Sequence, residues 1–302
     1  MKTIILKPNP PYDIKSHFEH YGSGDLQPYP AVYKSGNYWR AFRLNDKLVP
    51  VEIELNDDIN KPKLTVTLHS NIGKAGIEKV IEKIKWVFAT EYDLRPLHEF
   101  MESDQILKGV KNNNYGLKPG YYSTVYEGII VAIVQQQISL KIASHMVSLI
   151  VRKYGDCVKI GDREFWEFPS PGELAEATVK GLRECKLSGR KAEYIRDFSR
   201  VVARGEFNPE SLKGYDYEEI VEKLTSFRGM GRWTAESVIV TSIGLENVNP
   251  AGDLGARKAI SHFYNGDKLM SEAEVREFTE PWGKYKGCIT YYLIAEYSHI
   301  YL

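Results

Sequence analysis

The hydrophobic period of this 302-residue chain changes once, and that change divides it into a sheet-forming part followed by a helical one. Val51, Ile53 and Leu55 alternate with Glu52 and Glu54, and Leu64, Val66 and Leu68 alternate with Thr65, Thr67 and His69. A period of two with one polar face predicts half-buried antiparallel strands. Tyr33 and Tyr38-Trp39-Arg40-Ala41-Phe42 flank Ser35-Gly36-Asn37, a turn composition that predicts a hairpin. From Ile72 the spacing becomes helical: Ile77, Val80, Ile81, Ile84 and Phe88 form a stripe that closes the sheet.

Beyond Pro96 the periodic segments are helical, over 122–133, 139–154, 190–203, 217–224, 232–244, 253–263, 271–280 and 284–300. Short loops carrying Gly, Pro or Asn separate them. Ser271 with Glu274 reads as a capping box, and Ser170-Pro171 with Glu173 as a helix start. The expected architecture is an α+β domain on 1–95, an antiparallel sheet plus a helix, followed by an all-α domain on 96–302. A chain of this length supports two or three such bodies.

Forty basic residues balance forty acidic ones, so no global field marks a polyanion or membrane partner, and any nucleic-acid contact must use a local basic face. The three cysteines, Cys157, Cys185 and Cys288, are far apart. That argues against a disulfide framework, a zinc ribbon or a four-cysteine iron–sulfur cluster. The seven residues before Pro8 are too few for a signal-peptide core, and no run approaches the length of a membrane span. The expectation is an intracellular protein, cytoplasmic or, in a eukaryote, nuclear.

Two segments carry chemistry. In Leu224-Thr225-Ser226-Phe227-Arg228-Gly229-Met230-Gly231-Arg232-Trp233-Thr234-Ala235, a helix ends, two glycines make a tight turn and a new helix begins. The amides around Gly229, Met230 and Gly231 are then free to face an anion, with Arg228 and Arg232 on either side. Thr234 stands where a Rossmann loop needs its third glycine, and no Lys-Ser/Thr follows to make a P-loop. A ligand-free helical turn is the alternative. The second segment, Asn249-Pro250-Ala251-Gly252-Asp253-Leu254-Gly255, places Asp253 where an N-cap stands, and capping alone would account for it.

Together these segments resemble the helix-hairpin-helix DNA glycosylase superfamily, with the hairpin at 224–240 and the catalytic loop at 249–255. Arg228 replaces the usual proline of the turn. The helix Tyr126-Glu127-Gly128-Ile129-Ile130-Val131-Ala132-Ile133-Val134, running into Gln135-Gln136-Gln137, and the link Asp93-Leu94-Arg95-Pro96 are similar to the family's, in the family's order. Arg232-Trp233-Thr234-Ala235 and Glu280-Pro281-Trp282-Gly283 resemble the 3-methyladenine DNA glycosylase II (AlkA) branch.

The resemblance implies a monofunctional base-excision enzyme that hydrolyses the N-glycosidic bond of flipped alkylated purines, of 3-methyladenine or 7-methylguanine type and extending to hypoxanthine. An α+β sheet domain and an all-α hairpin domain with an interlobe cleft would carry it. Asp253 would stabilise charge on the departing sugar. Trp233, Tyr291 and Tyr126 would line the base pocket, because cationic bases are drawn to ring faces. Gln136 and Gln137 would wedge into the duplex, with a polar interhelical loop as the alternative. Gly229, Met230, Gly231, Arg228 and Arg232 would hold phosphate, and the carbonyls of Thr225, Phe227 and Met230 a sodium or potassium ion. No cofactor is required, the partner is double-stranded DNA containing damaged bases, and the protein acts as a monomer without a membrane. Trp282 is expected in the core.

Ser237 departs from the branch, which has an aromatic there. Bifunctional members, such as the 8-oxoguanine glycosylase/lyases, carry a lysine nucleophile at the position of Trp233. Two alternatives therefore remain: an 8-oxoguanine-type glycosylase/lyase, opposed by Trp233, and a catalytically silent DNA-binding module in which Asp253 is only a cap. Lys180, Arg183, Lys186, Arg190, Lys191, Arg196, Arg200 and Arg204 form a further basic face, either solvated or touching phosphate.

Overall fold

The computed structural model describes residues 1–21, 27–28, 30–34 and 36–301; Ser35 of the expected hairpin turn lies outside them. Five strands, β1 (Lys2–Leu6), β2 (Val32–Lys34), β3 (Asn37–Leu44), β4 (Lys47–Leu55) and β5 (Leu64–Leu68), form one antiparallel sheet in the order β1-β5-β4-β3-β2. The short helix α1 (Lys15–Tyr21) lies between β1 and β2 in the chain. The alternation seen in sequence sets the register, with Ile53 opposite Tyr38 and Val66. Val51, Ile53, Val66 and Leu68 are fully buried. They are covered by α2 (Lys74–Val87), where Val80 and Ile84 of the helical stripe are buried together with Val87, Phe88 just beyond the helix is buried too, and Ile77 and Ile81 are partly buried. β1, which no alternation announces, pairs with β5 at the sheet edge.

The remaining helices are α3 (Arg95–Met101), α4 (Gln105–Asn113), α5 (Val125–Gln135), α6 (Leu140–Tyr154), α7 (Pro171–Glu176), α8 (Val179–Glu184), α9 (Gly189–Ala203), α10 (Tyr217–Thr225), α11 (Arg232–Val238), α12 (Leu254–Tyr264), α13 (Glu272–Thr279) and α14 (Lys286–Tyr301). They bury two separate apolar clusters. One surrounds α5, which is buried on every side and packs against α6, α9 and α11. The other joins α3, α4, α12 and α14. Full burial of a side chain such as Ile130 or Leu293 contributes about 1.5–3 kcal/mol, and each cluster gathers many such side chains. The capping box at Ser271 forms as expected, the helix start expected at Ser170 is also a capping box with Glu173, and Asp216 with Glu219 adds a third. Trp282 packs in the second core against Phe278 and Tyr264.

The expected periodic segments do not include α3, α4 and α8, and the expectation of an all-α part on 96–302 is corrected by a small hairpin. β6 (Cys157–Ile160) and β7 (Arg163–Trp166) form a hairpin, and β7 lies against β3. Each strand has four residues, and Gly161 turns the chain with φ +58°, so neither is long enough to show a period. The hairpin delivers Glu167 to Arg40, which is 2% exposed on β3. Arg40 lies 2.5 Å from Glu167 Oε1 and 3.5 Å from Glu127 Oε2 of α5. The amide of Arg43 donates to the other Glu167 oxygen at 2.6 Å. This buried ionic knot joins the sheet to the helical part. Burial pushes the Glu127 carboxyl up to about 7, against the opposing pull of Arg40.

Candidate active site

α10 ends at Thr225 and α11 begins at Arg232, and the turn between them is built around Gly229. Gly229 has φ +88°, the left-handed region that favours glycine. A Cβ there would run into the Tyr194 ring of α9. Met230 is buried and donates its amide to Phe227 O at 3.2 Å. Gly231 is different: it is exposed and extended, caps α11 without a side chain, and a Cβ on it would meet nothing within 4 Å. The first-turn amides of α11 therefore open beside a bare backbone position.

Arg232 is exposed next to this opening. Arg228 folds over the Tyr194 ring and pairs with Glu193 at 3.0 Å. Four of the eight residues of the basic face are engaged within the protein. Arg196 pairs with Asp197, Arg204 with Glu206, and Arg200 reaches the Ala175 carbonyl. Lys191 turns inward to the end of α5.

The loop before α12 is fixed by its own turns: Ala251 N donates to Asn249 O, and Asp253 N donates to Pro250 O, both at 2.8 Å. Asp253 then caps α12, its Oδ1 accepting from Ala256 N at 2.9 Å. Its second oxygen, Oδ2, accepts from Trp233 Nε1 at 3.1 Å. Trp233 starts α11 in the first helical cluster, and Asp253 starts α12 in the second, so this bond closes the seam between the two lobes. Both side chains are half-buried, and Leu254 beside them is 51% exposed.

An ion chain that runs from a buried carboxylate to the surface lies behind the same seam. Glu236, one turn after Trp233 and 0% exposed, takes both the Tyr217 hydroxyl and Arg276 at 2.7 Å on Oε1. Arg276 also pairs with Glu272 at 2.7 Å. Glu272 in turn stands against Gly252, where a Cβ would come within 3.2 Å of its oxygen. Sequence reasoning missed this chain, because Glu236 and Arg276 are far apart in the sequence and each reads as an ordinary surface charge.

The two candidate wedge glutamines part company. Gln136 is half-buried, and its amide donates to Gly229 O at 2.8 Å and Thr234 Oγ1 at 3.0 Å. Gln137 is exposed with φ +58°. Of the expected pocket aromatics, Tyr126 is corrected to a core residue. It is 6% exposed, stacks on Phe198 and shares a 2.6 Å hydrogen bond with Ser199, because α5 has no solvent face on which to present it. Tyr291 is half-buried on α14, its hydroxyl 2.9 Å from His17 Nδ1 and 3.3 Å from the Lys118 carbonyl that accepts from it. A surface groove lined by Trp39, Arg152, Arg163 and Trp166 contains none of these residues. The cysteines lie on β6, at the end of α8 and on α14, and among the described residues no helix is long and apolar enough to cross a membrane.

Comparison with known proteins identifies the family and the fold. Residues 130–284, just over half of the chain, match the HhH-GPD superfamily base excision DNA repair protein model. A DNA-3-methyladenine glycosylase of Bacillus subtilis is 27% identical over 216 residues, 72% of this chain and 71% of that protein. A 3-methyladenine DNA-glycosylase structure from Archaeoglobus fulgidus superposes with TM-score 0.88 at 34% identity, covering 100% of this chain and 99% of that one. The fold is also shared with a Clostridium acetobutylicum 8-oxoguanine glycosylase/lyase in complex with double-stranded DNA, with TM-score 0.78 at 20% identity over 99% of both chains. With this family model matched over more than half of its length, the chain belongs to the HhH-GPD superfamily of base excision DNA repair proteins.

Proposed function

We propose that the protein is a monofunctional DNA glycosylase that hydrolyses the N-glycosidic bond of alkylated purines flipped out of damaged double-stranded DNA. The observation that carries this reading is the Trp233–Asp253 contact at the lobe seam. It sets a carboxylate at the N–H edge of an indole that stands where the bifunctional members carry a lysine nucleophile. A stacked base hides its glycosidic bond, so the nucleotide must leave the duplex at a cost of a few kcal/mol. Gln137, exposed at the end of α5, would enter the gap, and Gln136 would support it from within the protein. Asp253 then faces C1′, and its negative charge stabilises the sugar cation as the base departs. Purines alkylated at N3 or N7 already carry positive charge and leave without a general acid, so one carboxylate suffices. The Trp233 face attracts such cations, and Tyr291 forms the far wall.

The amides at Gly229, Met230 and Gly231, with Arg232, take the DNA phosphate, and Arg228 joins them on release from Glu193. Three carbonyl oxygens, those of Thr225, Phe227 and Met230, are a hard donor set suited to sodium or potassium. Phe227 O already accepts from Met230 N and offers its second lone pair. A bound cation would reinforce the positive end presented to phosphate. The protein works as an intracellular monomer and needs no cofactor for the reaction. Incubation with methylated DNA tests the reading: free 3-methyladenine and 7-methylguanine are expected, and their absence overturns it. The fold shared with a glycosylase/lyase favours one rival, and borohydride trapping decides it, because a covalent DNA adduct would reject the monofunctional assignment.

A further inference from the structure

Lys191 lies in the first turn of α9, among residues that look from the sequence like a phosphate-binding face. Its ammonium points inward and donates to Val134 O at 2.7 Å and to Gln136 O at 2.6 Å. These carbonyls end α5, where no intrahelical partner remains for them and where a positive charge also meets the negative end of the helix dipole. Gln136 O belongs to the peptide that joins Gln136 to Gln137. The orientation of that peptide plane is one of the determinants of the direction in which Gln137 leaves the backbone.

Gln137 needs such support, because its φ of +58° is unfavourable for a residue with a Cβ, by about 1–2 kcal/mol. The Gln136 side chain grips the other side, on Gly229 O and Thr234 Oγ1. The exposed side chain therefore stands on a backbone held by α9 behind and by the hairpin turn beside it. We infer that Lys191 is a positioning residue for base flipping: it holds the 136–137 peptide so that Gln137 enters the duplex at a fixed distance and angle from the phosphate grip of the hairpin. This rests on the wedge reading of Gln137 given above. A wedge must resist the collapse of the base stack, and an error of about 1 Å in its placement is enough to cost up to a hundredfold in rate.

The test uses the full-length protein with Lys191→Met, which keeps most of the stem, Lys191→Arg, which keeps the charge, and Gln137→Ala. Dimethyl-sulfate-treated DNA is supplied as annealed duplex and as denatured single strands, and released 3-methyladenine is counted under single-turnover conditions. Wedge entry is read from 2-aminopurine placed opposite a tetrahydrofuran abasic site. Lys191→Met is expected to lose about tenfold or more on duplex, clearly less on single strands, and to dampen the fluorescence change, with Lys191→Arg recovering part of each. The salt dependence of duplex binding should keep its slope. Equal losses on both substrates overturn the inference in favour of a purely structural lysine. A slope reduced by about one identifies a phosphate contact and overturns it equally. If Gln137→Ala shows the duplex-specific loss and Lys191→Met does not, the brace alone fails. If neither shows it, the wedge reading fails and takes the brace with it. Should Lys191→Met not fold, Lys191→Gln carries the same comparison.

Discussion

The indole nitrogen of Trp233 donates to Oδ2 of Asp253 across the seam between the two helical lobes, while Oδ1 of the same carboxylate caps α12. Both oxygens therefore accept, from N–H groups of different lobes, and an asparagine can satisfy only one of them. Asp253→Asn removes the negative charge and sets an amide N–H against either the indole or the Ala256 amide. Base release from methylated DNA should fall by roughly two orders of magnitude or more, as for loss of a dominant electrostatic stabiliser. The melting temperature should drop only modestly, since the conflict is on the order of one hydrogen bond, about 1 kcal/mol. Near wild-type release by a folded Asp253→Asn protein would move the chemistry elsewhere and leave Asp253 as a cap.

Trp233 has two separable contributions, its N–H and its ring face. Trp233→Phe keeps a face and deletes the donor, so it should slow release of cationic and neutral lesions alike by loosening Asp253. Trp233→Ala deletes both and should additionally lose about 1–3 kcal/mol of lesion binding. That additional loss should be larger for a cationic 7-methylguanine than for neutral hypoxanthine. Release rates for both lesions, measured beside melting curves, decide the matter. Losses that are equal for the two lesions in both variants would remove the ring face from the pocket.

The two hairpin glycines should respond differently, although the motif presents them as equivalent. Gly231→Ala meets open space and costs about 0.5–1 kcal/mol as a poorer cap. It should fold and bind all DNA sequences more weakly by a similar factor, because phosphate contacts position without reading sequence. Gly229→Ala puts a side chain at φ +88° and against the Tyr194 ring, and should lose stability first. Unchanged DNA affinity and salt dependence in Gly231→Ala would make the turn structural only.

Glu127 links stability to pH. Its carboxyl is raised from 4.5 to about 7, so across that interval the folded protein keeps a proton that the unfolded chain has released. Its contribution to stability is then lost progressively as pH rises through the window. Glu127→Gln, uncharged throughout, lacks this term, so its melting temperature should gain on that of the wild type from pH 4.5 to pH 7. Parallel curves would show that Arg40 holds Glu127 ionised across the range.

The starts of α11 and α12 were legible in the sequence because glycine turns and a capping aspartate act locally. The helix α5 was legible as a helix but not in its facing: every residue from Val125 to Val134 is buried, so no stripe distinguishes Tyr126 from its neighbours, and the ring went to the core. Gln136 and Gln137 are chemically identical, and only the left-handed turn at the second separates an inward amide from an outward one. The strands β6 and β7 are too short to carry a period. Lys191 reads as one of eight basic residues, and its target carbonyls are more than fifty positions away.

The chain of Glu236, Arg276 and Glu272 behind the seam has an evolutionary consequence. Removing Arg276 leaves the fully buried Glu236 carboxylate with the Tyr217 hydroxyl and no counter-charge, and breaking a buried ion pair in this way typically costs about 3–5 kcal/mol, a large fraction of a domain's stability. Replacing both Glu236 and Arg276 by apolar residues of similar volume need cost far less. Neither position can therefore drift alone. Lineages of this enzyme should carry the pair together or lose it together, and a wholly apolar substitute would mark descent through a rare double change rather than through gradual wear.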